Sequence, residues 1–449
     1  MQPQWFTRED IIPKEQPIVV DDVCGYVLPH AGTEYTGDII QHTLRFQPRN
    51  IESIRRVYIY YYPANTRPDV TINVSNDTRS DDDNDDARVI LSSIHKNKCH
   101  HELYVPFRSI LHYFRYWKMN IEKIQFVPVN VRAMAAGGRG GGSKTMRRVK
   151  HTTESRKRVS KYTNGSFFII SADFSHHKPF QYAIPAENKA AHAIVTGSLN
   201  SRNDSITSYD ASYLNEIDDA RTFRAFMRQH SNLSFQWIGR TRSPGKSAVG
   251  YLSFLIRPVF QPTTTNVPID GIFVTCYDAG MNARECLGEW FSGDKGAGGG
   301  SAGADSVSWS RGFEDDFIRK VKSKAQTESR LTGGKGTNLP ITRCVVTYLF
   351  KDRDQNLSTN HSFIRGWHSI QTNAIYLPDV LLENAKEDGR WITPRDTEWN
   401  IATATNDSTN HPFQLTETLQ KLDEKAGGQR RATKTATTLY TTRVCVKKC

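Results

Sequence analysis

The segment Ser166-Phe-Phe-Ile-Ile170 is a short, continuous apolar run that passes directly into the polar sequence Ser171-Ala-Asp-Phe-Ser-His176. A run that is apolar at every position is typical of a strand buried on both faces, as in a parallel sheet covered by helices. A second β-rich run lies at Arg56–Tyr62, and helical patterns lie at Val105–Trp117 and Ala220–His230. Strands that alternate with helices in this way predict an α/β architecture.

The second half of the chain is expected to form a separate domain. Two further strands, Ile272–Tyr277 and Cys344–Phe350, follow the polar, turn-rich segment Gln261–Thr265. We therefore expect one domain over residues 1–262 and another over residues 268–449. Three low-complexity inserts, which lack the apolar residues needed for packing, predict flexible surface loops. They are an acidic segment at about 77–86, a glycine-rich and then basic segment at about 133–163, and a Gly/Ala/Ser-rich segment at about 292–305.

The formal net charge of +12 is concentrated in two segments rather than spread over a folded face. The insert at 133–163 holds nine Lys or Arg residues against the single acid Glu154. The tail from Glu424 onward holds seven basic residues and one acid. Charge runs of this kind are usually solvated. They leave open that the basic insert binds RNA through phosphate contacts, with strong salt dependence and little sequence preference.

The composition predicts a folded protein of a reducing compartment. With 37% hydrophobic residues among 449, the chain can bury real cores, so wholesale disorder is not expected. No apolar run approaches the roughly 18 residues needed to cross a bilayer, and the N-terminus lacks the layout of a signal peptide. The seven cysteines are thinly spread and form no CxxC pair, which argues against a disulfide scaffold or a zinc finger. We expect a soluble protein in the cytoplasm or nucleus, without a membrane partner.

The stretch Leu28-Pro-His-Ala-Gly-Thr-Glu-Tyr-Thr-Gly37 carries the first functional motif. A strand that ends here would deliver His30 into a turn, in which Gly32 and Gly37 let the backbone bend tightly. Three further blocks follow in the order Glu102-Leu-Tyr-Val-Pro-Phe107, Ser171–His176 and Asp219–Gly239. The ordered set, over roughly residues 20–260, resembles the Memo family. That family is similar in fold to the extradiol ring-cleaving dioxygenases, which implies a sheet sandwiched by helices.

The resemblance implies a pocket in which two histidines and a cysteine surround a metal ion, iron or copper. His30 matches the first of these ligands, whereas Asn65 stands at the second histidine position and Ile238 at the cysteine position. An isoleucine side chain has no donor atom, and an amide oxygen is a poor ligand beside imidazole and thiolate. We therefore expect His30, Asp173 and His176 to remain as hydrogen-bonded pocket residues without a cofactor.

The loss of two of the three expected metal ligands predicts a binding or regulatory protein rather than an enzyme. Its expected ligand is a protein or peptide. The alternative is a non-haem, metal-dependent redox enzyme in which His30 is a metal ligand and His176 an acid–base group. In that case the clustered donors Cys99, His100 and His101 could move into the pocket.

The C-terminal half carries a second ordered set of motifs. Its members are Asp270–Thr275, Asn282–Gly288, Pro340–Thr347, Trp367–Ile370, Ala374–Val380 and Thr435–Val446. Over roughly residues 268–449 they resemble the AMMECR1 family, which implies an α+β domain with Thr435–Val446 as its closing strand. The combination of the two families in one chain also implies a radical-SAM protein as a partner.

Cys286 is the candidate nucleophile of the C-terminal half. Arg284 and His368 are possible neighbours that could lower the pKa of its thiol. Glu285 stands where the family has a glycine, so we expect it either to strain the backbone or to fill a cleft. The alternative for Cys286 is a buried structural thiol.

Overall fold

The chain divides into two compact units, residues 1–183 with 214–258 and residues 184–213 with 259–449. Residues 184–213 thus join the second unit, although they fall inside the range 1–262. The computed structural model describes residues 6–13, 17–63, 71–74, 89–92, 101–132, 165–200, 216–218, 220–244, 248–264, 268–291, 309–327, 340–351, 365–369, 374–377, 380–383 and 437–448. The three inserts, Asn65, Cys99 and His100 lie outside these residues.

The first unit is built around a six-stranded sheet. Its strands, in spatial order, are β7 (Gln125–Asn130), β4 (Arg56–Tyr61), β8 (Ser166–Ser171), β2 (Gly25–Leu28), β10 (Gly250–Pro258) and β9 (Leu233–Arg242). The first four are parallel, and β10 and β9 continue the sheet in antiparallel pairing. Two short pairs lie apart, β1 (Ile18–Val20) with β3 (Phe46–Pro48) and β5 (Thr71–Val74) with β6 (Val89–Ser92). The α/β prediction and the strands predicted at 56–62 and 166–170 are confirmed.

Four helices accompany these strands in the described part of this half of the chain. They are α1 (Thr33–Leu44), α2 (His101–Tyr116), α3 (Phe180–Val195) and α4 (Ala220–Gln229). Phe114 of α2 contacts Phe167 of β8, with ring centroids 6.0 Å apart, and Phe226 of α4 contacts Phe168 at 5.4 Å. Because successive side chains of a strand point to opposite faces, α2 and α4 cover opposite faces of the sheet. This double cover explains why the four central residues of β8 are all apolar.

Gly37 does not form a bend, contrary to the sequence-based expectation, because it lies inside α1. A Cβ atom at this position would lie 2.5 Å from the carbonyl oxygen of Asp10. The missing side chain therefore allows the N-terminal segment to pack directly on α1. Gly32, at the N-cap of α1, is the glycine that stands at the turn.

The second unit contains a six-stranded sheet in which every neighbouring pair is antiparallel. In spatial order its strands are β12 (Ala283–Trp290), β11 (Gly271–Asp278), β13 (Ile341–Lys351), β16 (Thr437–Lys448), β14 (Arg365–Ser369) and β15 (Ala374–Tyr376). Helix α5 (Arg311–Thr327) packs on β11, β12 and β13, and a short helix α6 spans Val380–Glu383. The apolar core lies between α5 and the sheet and includes Ile272, Val274, Phe317, Val321 and Val346. The strands predicted at 272–277 and 344–350 are confirmed.

The basic tail is folded in part. Thr437–Lys448 form β16, so a strand lies where one was predicted at 435–446, between β13 and β14 in the sheet. Lys447 pairs with the buried Glu314, with 2.9 Å between Nζ and Oε1. The expectation that the tail from Glu424 is a solvated segment is therefore wrong for these residues. None of the helices in the described part of the chain is both long enough and apolar enough to cross a membrane.

Candidate functional site

His30 and Asp173 lie side by side at one edge of the first sheet. His30 is the second residue after β2, and Asp173 is the second residue after β8. The two strands are parallel neighbours, with Val27 opposite Ile170, so their carboxyl ends meet at the same edge. In α/β sheets this is the edge at which ligands bind. Both side chains are almost completely buried.

The imidazole of His30 is held in one tautomer. Its backbone N–H donates to Asp173 Oδ1 at 2.9 Å, and its ring Nδ1 lies 3.1 Å from Ser171 Oγ. The Ser171 hydroxyl donates its single proton to the carbonyl oxygen of Glu102 at 2.5 Å. Ser171 Oγ can therefore only accept from His30, which assigns the proton of the neutral ring to Nδ1.

Two carboxylates converge on the other ring nitrogen, Nε2. It lies 3.5 Å from Asp173 Oδ2 and 3.9 Å from Asp218 Oδ2. Both distances exceed that of an ordinary hydrogen bond. Two carboxylates on one side of the ring make this part of the site acidic and favour a cation.

The rim of this site is formed by side chains that reach solvent. The side chains of His176 and Asp218 are each 41% exposed, and His176 Nε2 lies 3.7 Å from Asp218 Oδ2. The side chain of His101 is 42% exposed, and its ring lies 5.3 Å from that of His30 between centroids. Burial lowers the pKa of His101, against the opposing effect of the neighbouring carboxylates. A buried floor beneath a half-exposed rim gives a ligand direct access from solvent.

The turn after β8 is fixed by strand β10. Phe174 N–H donates to Gly250 O at 2.9 Å, and Gly250 N–H donates to Ser175 O at 2.8 Å. His177 adopts a left-handed backbone with φ of 57°, and its N–H donates to Ala248 O at 3.1 Å. Non-glycine residues in this conformation often occur where surrounding structure dictates a functional turn. The turn therefore positions His176, the residue before His177, at the rim of the site.

Tyr251 of β10 is a further buried neighbour of Asp173. Its pKa is raised well above its ordinary value, first by burial and then by the negative charge of Asp173. Tyr251 therefore stays protonated and contributes a neutral hydroxyl to this part of the unit.

The family-type metal centre does not fit the described residues. Ile238 is fully buried in β9, two strands away from β2, and its carbonyl oxygen lies 2.9 Å from His42 Nε2. Two strand spacings correspond to roughly 10 Å. Its side chain offers no donor atom, so a His-His-Cys centre cannot form through this position. Asn65 lies outside the described residues, as do Cys99 and His100, whereas His101 of the same cluster does reach His30.

The structure brings His30, Asp173 and His176 together and adds residues that the sequence analysis did not select. Asp218 lies two residues before α4, and its carboxylate approaches both His30 and His176. Ser171 was visible as part of a motif, but its role in fixing the imidazole depends on a backbone carbonyl contributed by α2. Such a contact has no signature in the sequence.

Cys286 and Arg284 both lie in β12. Cys286 Sγ lies 3.1 Å from Thr275 Oγ1 on the neighbouring strand. The Arg284 guanidinium contacts the buried Asp278, with 2.6 Å between Nε and Oδ2. The effect of Arg284 on the thiol of Cys286 stays a prediction. His368 lies in β14, opposite Ile375 of β15.

Glu285 does not strain the backbone. It is 1% exposed in the regular part of β12, and its Oε1 accepts from the N–H of Cys286 at 3.1 Å. Within the described residues the left-handed non-glycine positions are Asp22, Lys118, His177 and Met281. Of the two consequences expected for Glu285, the strain is thus contradicted.

Comparisons with known protein families and with curated protein sequences find no match to this chain. The resemblances to the Memo and AMMECR1 families therefore stay predictions. Among the described residues, no group of three or more His, Cys, Asp or Glu side chains is arranged to hold a metal ion.

Proposed function

We propose that the first unit is a binding module that captures a ligand through an ammonium group, and that the occupant is the free amine of a peptide. The observation that carries this proposal is the convergence of two carboxylates, with Asp173 Oδ2 and Asp218 Oδ2 at 3.5 and 3.9 Å from the same ring nitrogen of His30. An ammonium group has N–H donors and a positive charge, and both suit a pair of carboxylates.

Burial of the floor gives this interaction its strength. His30 and Asp173 are each 3% exposed, so their contacts with a ligand are little screened by water. The half-exposed rim of His101, His176 and Asp218 would contact the part of the peptide next to the amine. Binding then needs no rearrangement of the strands, because the acceptors are already held by the ends of β2 and β8.

The proposal assigns binding and not catalysis to this site. The second candidate function is the metal-dependent redox enzyme expected from the family resemblance. The RNA-binding alternative depends on the basic insert at 133–163, which lies outside the described residues.

Calorimetry with the full chain and a short peptide, Gly-Gly-Tyr, tests the proposal. The peptide with a free amine should bind, and its N-acetylated form should bind at least tenfold more weakly because it lacks both the charge and two N–H donors. Asp173→Asn should weaken the free-amine peptide about tenfold while retaining the acceptor for the His30 N–H. The exposed Asp38 of α1 provides the matched control, Asp38→Asn, which should bind as the wild type does.

Two results would overturn the assignment. Equal binding of the free and acetylated peptides would remove the ammonium group from the argument. Stoichiometric iron or copper in the purified protein, lost in His30→Ala, would favour the redox enzyme instead.

A further inference from the structure

A second, chemically opposite cavity lies in the first unit, on the outer side of α2. It has a volume of about 460 Å³ and is bounded by α2 and by the N-terminal segment 6–13. The helix contributes Arg108, Leu111, His112, Arg115 and Tyr116. These residues are separated by three, four, seven and eight positions, so they form a single stripe along the helix.

The opposite wall is anchored to α1. Thr7 N–H donates to Thr33 Oγ1 at 2.8 Å, and the Thr33 hydroxyl donates to Asp10 Oδ2 at 2.8 Å. Gln41 Nε2 donates to the carbonyl oxygen of Asp10 at 2.5 Å. The close approach at Gly37 lets the segment lie flat on the helix. The cavity therefore has two fixed walls before any ligand arrives.

The charge of the lining is strongly positive. Arg8 of the segment and two arginines of α2, Arg108 and Arg115, line the cavity, and no carboxylate is among the described residues that bound it. Burial lowers the pKa of His112 to about 4, and the charges of Arg8, Arg115 and Arg108 act in the same direction, opposed only weakly by Glu9. The His112 ring is therefore neutral near pH 7.

The rest of the lining is apolar and aromatic. The Arg108 guanidinium lies 5.4 Å from the ring centroid of Phe6 and 5.9 Å from that of Tyr104, so aromatic faces orient it. Leu111 and Tyr116 complete an apolar side next to the charged one. The cavity therefore suits a molecule with an anionic end and an apolar body.

We propose that this cavity binds a small organic phosphate monoester, with its phosphate among Arg8, Arg108 and Arg115 and its organic body against Phe6, Leu111 and Tyr116. Guanidinium groups match the geometry of phosphate oxygens with paired N–H donors, and a dianion offsets more of the three positive charges than a single carboxylate does. The volume lies within the 300 to 1,000 Å³ typical of small-molecule sites and far exceeds the need of a bare phosphate. The ammonium site at His30 is acidic, so the two sites select opposite charges.

Calorimetry with phenyl phosphate, inorganic phosphate and phenol tests the proposal on the full chain. Phenyl phosphate should bind most tightly, inorganic phosphate about tenfold more weakly, and phenol without measurable affinity. Raising the salt concentration from 0.05 to 0.3 M should weaken phenyl phosphate several-fold. Equal affinity for phenyl phosphate and inorganic phosphate would overturn the role of the organic body, and an adventitious anion site would remain.

Two arginine variants test whether phenyl phosphate binds in this cavity. Arg108→Gln should weaken phenyl phosphate at least tenfold, because a charge-assisted hydrogen bond is lost in a partly buried site. Arg8→Gln should also weaken it several-fold, and since Arg8 is exposed, this variant does not depend on core packing. The matched control is Arg228→Gln, an exposed arginine of α4, which should leave the affinity unchanged. The proposal is wrong if Arg8→Gln and Arg108→Gln both bind phenyl phosphate like the wild type, or if Arg228→Gln loses as much.

Discussion

Glu314 in the second unit and Asp173 in the first are both buried carboxylates, but their surroundings differ. Glu314 Oε2 accepts from Trp309 Nε1 at 3.0 Å and from the Tyr348 hydroxyl at 2.9 Å. Its Oε1 lies 2.9 Å from Lys447 Nζ. Asp173 accepts from a backbone N–H through one oxygen, while the other lies 3.5 Å from His30 Nε2.

The difference separates a structural carboxylate from a functional one. Glu314 has its donors within the unit, so nothing is gained by adding a ligand. Asp173 is equally buried, but its Oδ2 lies near the same ring nitrogen of His30 as the Asp218 carboxylate, next to a rim open to solvent. Burial alone therefore does not identify a site, whereas burial combined with a second carboxylate and access from solvent does.

The largest effect is expected where the donors already match. Glu314→Ala leaves Trp309, Tyr348 and Lys447 without their shared acceptor, and should lower the free energy of unfolding of the second unit by about 3 kcal/mol. Partial exposure of Lys447 keeps the loss near the lower end of the usual range for a broken buried pair. Urea denaturation, monitored by hydrogen exchange of the β13 amides, measures this free energy of unfolding.

The exposed Asp316 on the same helix provides the control for this experiment. Asp316→Ala should change the free energy of unfolding by about 0.5 kcal/mol or less, because its pair with Arg319 is solvated. Equal losses in the two variants would contradict the structural role assigned to Glu314.

A smaller effect on stability is expected from His230, a buried histidine whose pKa is lowered by burial alone. His230 lies between Phe168 and Phe226, with centroids 4.5 and 4.7 Å away, and burial lowers its pKa to about 4. The unfolded chain takes up this proton below about pH 6.5 and the folded chain does not. The first unit should therefore lose stability as the pH falls from 6.5 to 4, by roughly 2 kcal/mol for His230 after allowance for solvent screening.

The pH dependence of unfolding in two variants checks this expectation. His230→Gln removes the titrating ring, so the stability of the first unit should fall less steeply between pH 6.5 and 4.5 than in the wild type. His177→Asn replaces an exposed ring by a residue that tolerates the same left-handed backbone, and should keep the wild-type slope. A slope unchanged by His230→Gln would show that other groups control the acid response.

The strands of both units could be predicted from the sequence because their signals are local. The continuous apolar run at 166–170 and the β-rich run at 56–62 both form strands where expected. The parallel pairing of the first four strands of this sheet agrees with runs that are apolar on both faces, whereas the antiparallel strands β10 and β9 were not predicted. The placement of residues 184–213 with the second unit has no such local signal, since it depends on contacts far apart in the chain.

The candidate site could be predicted only in part. His30 and Asp173 come directly after buried strands, and the carboxyl ends of parallel strands meet at one edge. Asp218 reaches the same site from the start of α4, a position that local patterns attribute to the helix itself. The contact of Arg284 with the buried Asp278 had no local signal either, because the two residues lie on different strands of a hairpin.

The smallest effect is expected from a change in the tautomer of His30, on which the contrast between Asp173 and Glu314 depends. Ser171→Ala removes the acceptor of the Nδ1 proton and should lower the stability of the first unit by about 1 kcal/mol. The neutral ring can then move its proton to Nε2, where it meets Asp173 and Asp218. Nitrogen NMR should show a proton on Nδ1 in the wild type and a shift toward Nε2 in the variant. Ser53→Ala, at an exposed 3₁₀ turn, is the control and should leave the His30 signals unchanged. A wild-type ring already protonated on Nε2 would mean that the acceptors of this site are satisfied, and Asp173 would then resemble Glu314.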